Sequence, residues 1–175
     1  MAAKIFSDIE IVEPSGFSYA PRATDAGLDN FESKSGFLLP KSYRAFCKEF
    51  GAGELANYYR ISSPMKMRTH DLNLSLFNSS YHKENDAHSW DSYFDPQVLK
   101  LVFFFGDNID GEAYYWKLDE VSNARQREFH IYVIPRVYPT KKIADSFKAF
   151  IYDVCLKPQK NWRPKHIFCR AIVRR

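Results

Sequence analysis

The sequence is poor in the residues that most small catalytic and metal sites require. Its 175 residues include three cysteines, Cys47, Cys155 and Cys169. They are odd in number and widely separated, whereas a disulfide framework or a zinc ribbon needs close, paired cysteines. Cys47 and Cys155 fall on apolar helical faces, where a buried thiol is the ordinary outcome, so a reducing compartment is expected. Seven glycines leave little room for a phosphate loop, and neither Gly-x-x-x-x-Gly-Lys nor a dinucleotide fingerprint occurs. Gly-x-Ser-x-Gly is absent as well. The five histidines, His70, His82, His88, His130 and His166, contain no His-x-x-x-His pair. His82 and His88 would point to different sides of a helix, so no convergent ligand set forms. The longest strongly apolar run, LVFFF at 101–105, is far too short to span a bilayer. The N-terminal MAAKIFSDIEIVEPSG has early acids and no secretory apolar core. These absences lead us to expect a soluble cytoplasmic chain that needs no cofactor or metal, has no membrane contact and is not an enzyme.

Aromatic residues, in contrast, are abundant. They make up 17% of the chain, mostly as 15 Phe and 11 Tyr, within a 45% hydrophobic content. That composition supports a packed core and argues against disorder. The net charge is +4. Basic residues are dispersed except near the C-terminus, where Arg163, Lys165, Arg170, Arg174 and Arg175 cluster. A solvated basic tail accounts for this, because a nucleic-acid binder carries a denser stripe. Direct nucleic-acid binding is therefore not expected.

Periodicity divides the chain into helices, strands and a final helix. A first helix is expected over 24–35, with Thr24 as N-cap and Gly36 as its stop. A second is expected over 40–50. Pro40 suits the first helical position, Tyr43, Phe46, Cys47 and Phe50 share one face, and Gly51 ends it. The short link between them makes a packed pair. Residues 57–62 read as a strand. Residues 71–92 are ambiguous: Leu72, Leu74 and Leu76 alternate as in a strand, while Asp71 could cap a helix. Residues 98–105 read as a buried strand, followed by the turn GDNIDG and a second strand over 112–118, which together form a hairpin. Another strand is expected over 129–134. A last helix, capped by Thr140, is expected over 141–157 with Ile143, Phe147, Phe150, Ile151 and Val154 on its apolar face. Residues 166–173 form a final strand or a tail. Helices followed by a strand meander and a helix define an α+β domain.

The candidate binding surface is the polar turn Asp107, Asn108, Asp110, Gly111 and Glu112, with outward side chains near Tyr58, Tyr59 and Arg60. A polar loop after a rigid apolar strand is a usual place for binding residues. Neighbouring aromatics on a strand face opposite sides, so one of Tyr58/Tyr59 and one of Tyr114/Tyr115 should remain at a surface unless both faces are covered. Tyr, Trp and Arg are enriched at interface hot spots. A calcium loop does not fit GDNIDGE, because Ile109 stands where a ligand is needed.

The segments FESKSGFLLPKSYRAFCKEFGAGEL and FFFGDNIDGEAYYW, in this order and separation, resemble the SUKH superfamily. This group comprises bacterial toxin-immunity proteins and fungal cell-wall-assembly regulators. The resemblance covers about 24–156 of a single domain spanning 1–175, leaving N- and C-terminal extensions. It implies a mixed or antiparallel sheet packed against helices, and makes 71–92 a helix. It also implies that the chain binds and neutralises a cognate toxin domain, such as a nuclease or another nucleic-acid-modifying enzyme, in a stoichiometric complex. The alternative it implies is an intracellular scaffold or regulatory adaptor.

Overall fold

The computed structural model describes residues 5–65, 72–86, 96–135 and 139–173. His70, Asp71, His88, Arg174 and Arg175 lie outside these residues, as do 87–92 of the ambiguous segment.

The helix pair follows its local signals closely. Helix α1 (Asp25–Ser35) begins at Thr24, whose side chain accepts the Gly27 N–H at 3.1 Å, and ends at Gly36 with φ 69°. The Gly36 N–H returns to the Glu32 carbonyl at 2.9 Å. A left-handed residue at this position closes the last turn and favours glycine. Helix α2 (Lys41–Glu49) buries Tyr43, Phe46 and Cys47 as expected. Pro40, however, is its cap and not its first helical residue. It has ψ 139°, and its carbonyl accepts the Arg44 N–H at 2.9 Å. Arg44 then ties the pair together, reaching Asp29 at 2.7 Å and Glu32 at 2.9 Å.

The strands form one eight-stranded sheet in the order β1-β8-β2-β3-β4-β5-β6-β7. They are β1 (Glu10–Val12), β2 (Gly53–Leu55), β3 (Tyr59–Ile61), β4 (Val102–Asn108), β5 (Ala113–Asn123), β6 (Glu128–Ile134), β7 (Lys141–Ala144) and β8 (Ile167–Arg170). β1 runs parallel to β8 and every other pair is antiparallel. The mixed sheet with helices is the expected α+β class. The terminal regions on either side of 24–156 also join this sheet and its core. β8 lies inside the sheet between β1 and β2, and Phe6 and Phe168 are fully buried beside Phe46 and Phe50. Arg170 accordingly leaves the basic tail: it pairs with Glu13 and donates to the Ala20 carbonyl.

Several boundaries differ from the periodic reading. Residues 98–101 are not strand: Pro96 opens a short helical turn, α4 (Pro96–Leu99), and β4 starts at Val102. Proline fixes φ in the helical range and so initiates such a turn. β4 then continues through Gly106, Asp107 and Asn108, which narrows the expected turn to 109–112. A bulge between Phe104 and Gly106 brings Gly106 so close to β3 that an added Cβ would lie 2.5 Å from the Arg60 carbonyl oxygen. β5 runs past 118 to Asn123 because its far end projects from the core and needs no apolar alternation.

The helix expected over 141–157 is shorter, covering Phe147–Cys155, and is preceded by a strand. Lys141–Ala144 is the edge strand β7, paired to β6, and Thr140 caps nothing helical. Helix α5 (Phe147–Ala149) starts instead at Ser146, whose hydroxyl accepts the Ala149 N–H at 3.1 Å, and continues as a π-helix over Phe150–Cys155. Ile143 fits a strand as well as a helical face, so periodicity could not separate them. Across the wider π turn Cys155 is fully buried, as expected, and Val154 packs on the core only partly buried, with the Leu156 N–H bonded to the Ile151 carbonyl at 2.9 Å. The carboxylate of Glu128 joins this helix to α2. It accepts the Ser42 N–H and hydroxyl, both at 2.9 Å, and the Phe147 N–H at 3.2 Å. Two helix N-termini thus share one buried anion, as their dipoles favour.

Helices cover the sheet on both sides. One core packs α1, α2 and α5 on Phe105, Tyr114 and Trp116; Phe105 and Trp116 stack at 4.3 Å. The other places α3 (Leu74–Asp86) over Phe104 and Tyr115, with Asn78 accepting the Phe104 N–H at 2.8 Å. Within the segment 71–92, residues 74–86 are therefore helical, preceded by Asn73, which bridges to Ser63. Tyr114 and Tyr115 are both buried, so the expected surface aromatic is absent from that pair.

Candidate functional site

The turn between β4 and β5 is built on Asn108. This residue is only 2% exposed, and its amide serves the whole turn. Its Oδ1 accepts the Asp110 N–H at 3.1 Å and the Glu112 N–H at 2.9 Å. Its Nδ2 donates to Glu112 Oε2 and to the Tyr114 hydroxyl, each at 2.8 Å, and lies 3.3 Å from the Tyr58 hydroxyl. Gly111 has φ 80°, which the turn requires and glycine supplies without strain. A short Asn-centred turn on a rigid strand therefore presents its tip in a fixed geometry.

The opposing side is the β2–β3 hairpin. Its turn residues, Ala56 and Asn57, have φ 56° and 54°. Asparagine tolerates this conformation and alanine does so at a cost. The turn delivers Tyr58, half-buried, against the acidic loop. The Tyr58 hydroxyl donates to Asp110. Burial first, and then Asp110 beside it, holds the Tyr58 phenol well above its usual range, so it remains a neutral donor.

The structure gathers the eight expected residues at one end of the sheet, yet they have different roles. Tyr59 is 5% exposed and belongs to the core, so it is not an outward side chain. Arg60 grips Asp107 with two donors, Nε at 2.7 Å and Nη2. The Asp107 side chain is 7% exposed and that of Arg60 41%. Register places Tyr59 opposite Asn108 and Arg60 opposite Asp107. By strand alternation, the Arg60–Asp107 pair faces the α3 side, away from Tyr59 and Asn108. Asp107 and Asn108 thus hold the turn in place, while Ile109, Asp110, Gly111 and Glu112 form its outer face.

Three contributors were missing from the sequence reading. Ile109 is 62% exposed at the tip. Trp162 and Gln159 come from the segment after the π-helix, closed on itself by Gln159–Trp162 backbone bonds of 2.8 and 3.2 Å. With Tyr58 and Tyr59 they line a cleft of about 200 Å³. The signals were an isolated Ile inside an acidic turn and a Trp in the polar run NWRPK. Neither showed that the two segments meet.

Among the described residues, neither Asp110 nor Glu112 is ion-paired. Several other surface carboxylates have cations: Asp25 has Lys48, Glu13 has Arg22 and Arg170, and Glu120 has Lys117. The described histidines have local partners, with His130 2.8 Å from Asp145, His166 3.1 Å from Asp8, and His82 against the Val102 carbonyl. No group of three His, Cys, Asp or Glu side chains converges as a metal site among the described residues. Burial pushes the Cys47 thiol up to about 12 and the Cys155 thiol well above its usual range. No described helix is long and apolar enough to cross a membrane.

The fold and this exposed turn define an α+β domain that presents a small mixed aromatic and acidic surface. A family model, SUKH_6, described as SMI1-KNR4 cell-wall, matches residues 25–151, well over half of the chain. The chain belongs to this family of the SUKH superfamily. None of the curated proteins matches the sequence. The matched region contains Tyr58 and the acidic turn, while Gln159 and Trp162 follow it.

Proposed function

We propose that this chain is a non-catalytic, cytoplasmic immunity protein that neutralises a cognate toxin domain by forming a stoichiometric complex. The observation that carries this reading is the rigid surface of Tyr58, Ile109 and Trp162, edged by Asp110 and Glu112, which have no ionic partner among the described residues. Exposed apolar and aromatic groups beside unpaired charge are the materials of a protein interface. The net positive charge does not oppose a basic partner, because charges more than about 8–10 Å apart are largely screened at physiological salt. Complementarity is set locally. The partner is a toxin domain with a basic cleft, as in a nuclease or another nucleic-acid-modifying enzyme. Family membership suits this role.

The family description, SMI1-KNR4 cell-wall, favours a second reading, an intracellular scaffold or regulatory adaptor acting through the same surface. Co-expression separates the two. A toxin encoded beside this chain should lose its lethality when the chain is co-expressed, and the two should co-purify in fixed ratio. An adaptor would give no rescue, and persistent killing with both proteins present would overturn the immunity reading.

A further inference from the structure

The cleft beside Tyr58 has a composition that selects among guests. Its rings are walls and not a stack: Tyr58 and Tyr59 meet at 72°, Tyr58 and Trp162 at 51°, and Tyr59 and Trp162 at 54°. Their centroids are 4.8, 5.8 and 6.3 Å apart. About 200 Å³ is too small for a drug-sized ligand or cofactor, whose sites run to about 300–1,000 Å³. It is enough for one side chain. Among the described residues, the polar side-chain groups of the lining are the Gln159 amide, the Trp162 indole N–H and the two tyrosine hydroxyls, none of them charged. No described lysine or arginine lines the cleft, although Lys157, Lys160 and Arg163 are exposed on the same segment. A phosphate or carboxylate would therefore lack a cationic lining side chain there.

A cation is favoured on two counts. Aromatic faces carry negative potential and attract guanidinium or ammonium groups. The Tyr58 hydroxyl proton is committed to Asp110, and the adjacent Glu112 bonds to the neutral Asn108 amide, so among the described residues both carboxylates are held by neutral donors and neither is ion-paired. Between the two cations, a guanidinium is planar, weakly hydrated and able to lie on a ring while its edge reaches a carboxylate. Building on the protein-binding role proposed above, we infer that this cleft receives an arginine side chain of the partner, with Tyr58 and Trp162 as its walls and Asp110 and Glu112 as its counter-charge.

The test needs no partner. Acetyl-Gly-Arg-Gly-amide is titrated into the intact chain while the Trp162 indole and Tyr58 ring signals are followed by NMR, with Gln, Lys and Glu peptides alongside. The Arg peptide should give saturable shifts at millimolar concentration, and the Gln peptide should bind at least tenfold more weakly. Glu112→Gln, which removes only charge, should weaken the Arg peptide several-fold, as should roughly 1 M salt, where the Debye length is about 3 Å. Trp162→Leu should abolish the response, with a thermal melt confirming that the variant folds. Equal binding of the Gln and Arg peptides would reduce the site to an apolar groove, and preference for Glu would make it an anion site. Preference for Lys, or no response at all, would likewise remove the arginine assignment. None of these outcomes bears on the immunity role, which stands or falls on co-expression.

Discussion

The Asn108 amide donates to the Tyr114 hydroxyl at 2.8 Å, so the buried end of β5 and the exposed turn depend on one side chain. The same amide accepts two turn N–H groups. Asn108→Ala removes these bonds and leaves buried partners unsatisfied, at about 1–3 kcal/mol for each such group. We expect a loss of about 2–4 kcal/mol in urea unfolding, together with weaker partner binding because the turn loses its frame. Unchanged stability would show that the amide network is not what fixes the turn.

Arg60 separates support from contact. Arg60→Met leaves the Asp107 carboxylate in place without its guanidinium. Breaking a buried pair costs about 3–5 kcal/mol, but Arg60 is well exposed and the effect is smaller, about 1–2 kcal/mol. Because this pair faces the α3 side, partner affinity should remain within about twofold, an effect of ~0.4 kcal/mol. A large affinity loss in a folded Arg60→Met variant would return Arg60 to the interface.

The thiols provide a pH-dependent check. Burial raises Cys47 and Cys155 above the ordinary cysteine range, Cys47 to about 12. At pH 7–9 both are protonated, and the thiolate is the reactive form. Native alkylation should therefore label Cys169 first, itself raised and only partly buried, while Cys47 and Cys155 react at the rate of unfolding. Rapid labelling of Cys47 in the folded chain at pH 8 would overturn this and reopen thiol chemistry.

How far the fold could be read from sequence depends on the range of its interactions. α1 and α2 were legible because Thr24, Gly36, Gly51 and the spacing of Tyr43, Phe46, Cys47 and Phe50 act locally. β1 and β2 were not, and β8 was open between strand and tail over 166–173, since each has only three or four residues and owes its place to partners far along the chain. Ile143 misled because one apolar residue beside two lysines satisfies either period. At the site, Gly111 revealed the turn through its backbone need. The inward roles of Asp107 and Asn108 were hidden, because a buried Asp–Arg pair and an exposed acid have the same sequence signature. Trp162 was hidden for another reason: its proximity to Tyr58 exists only once β8 and the π-helix are in place.

The interface is best tested at its tip, where substitutions change contact with least effect on the frame. Ile109 is exposed and lies between the Asn108 hub and Asp110, and its side chain is absent from the described cores. Ile109→Asp should leave the melting temperature nearly unchanged, since surface changes are usually within about 0.5 kcal/mol. It should nevertheless weaken the partner complex by at least tenfold, about 1.4 kcal/mol, because an apolar anchor is replaced by a charge that must be desolvated on binding. Glu112→Lys adds the electrostatic half of the argument. It loses one bond to Asn108 and so costs about 0.5–1.5 kcal/mol of stability, and it places a cation beside Tyr58 where a basic partner would dock. Affinity should again fall tenfold or more, with most of the loss in the on-rate at low salt, since exposed charges steer encounter. Measured by surface plasmon resonance at two ionic strengths, Ile109→Asp should act mainly on dissociation and Glu112→Lys mainly on association. If both variants fold and both bind as tightly as the parent, the turn is not the interface, and the Asp-Gly hairpin is there only for the backbone geometry that Gly111 supplies.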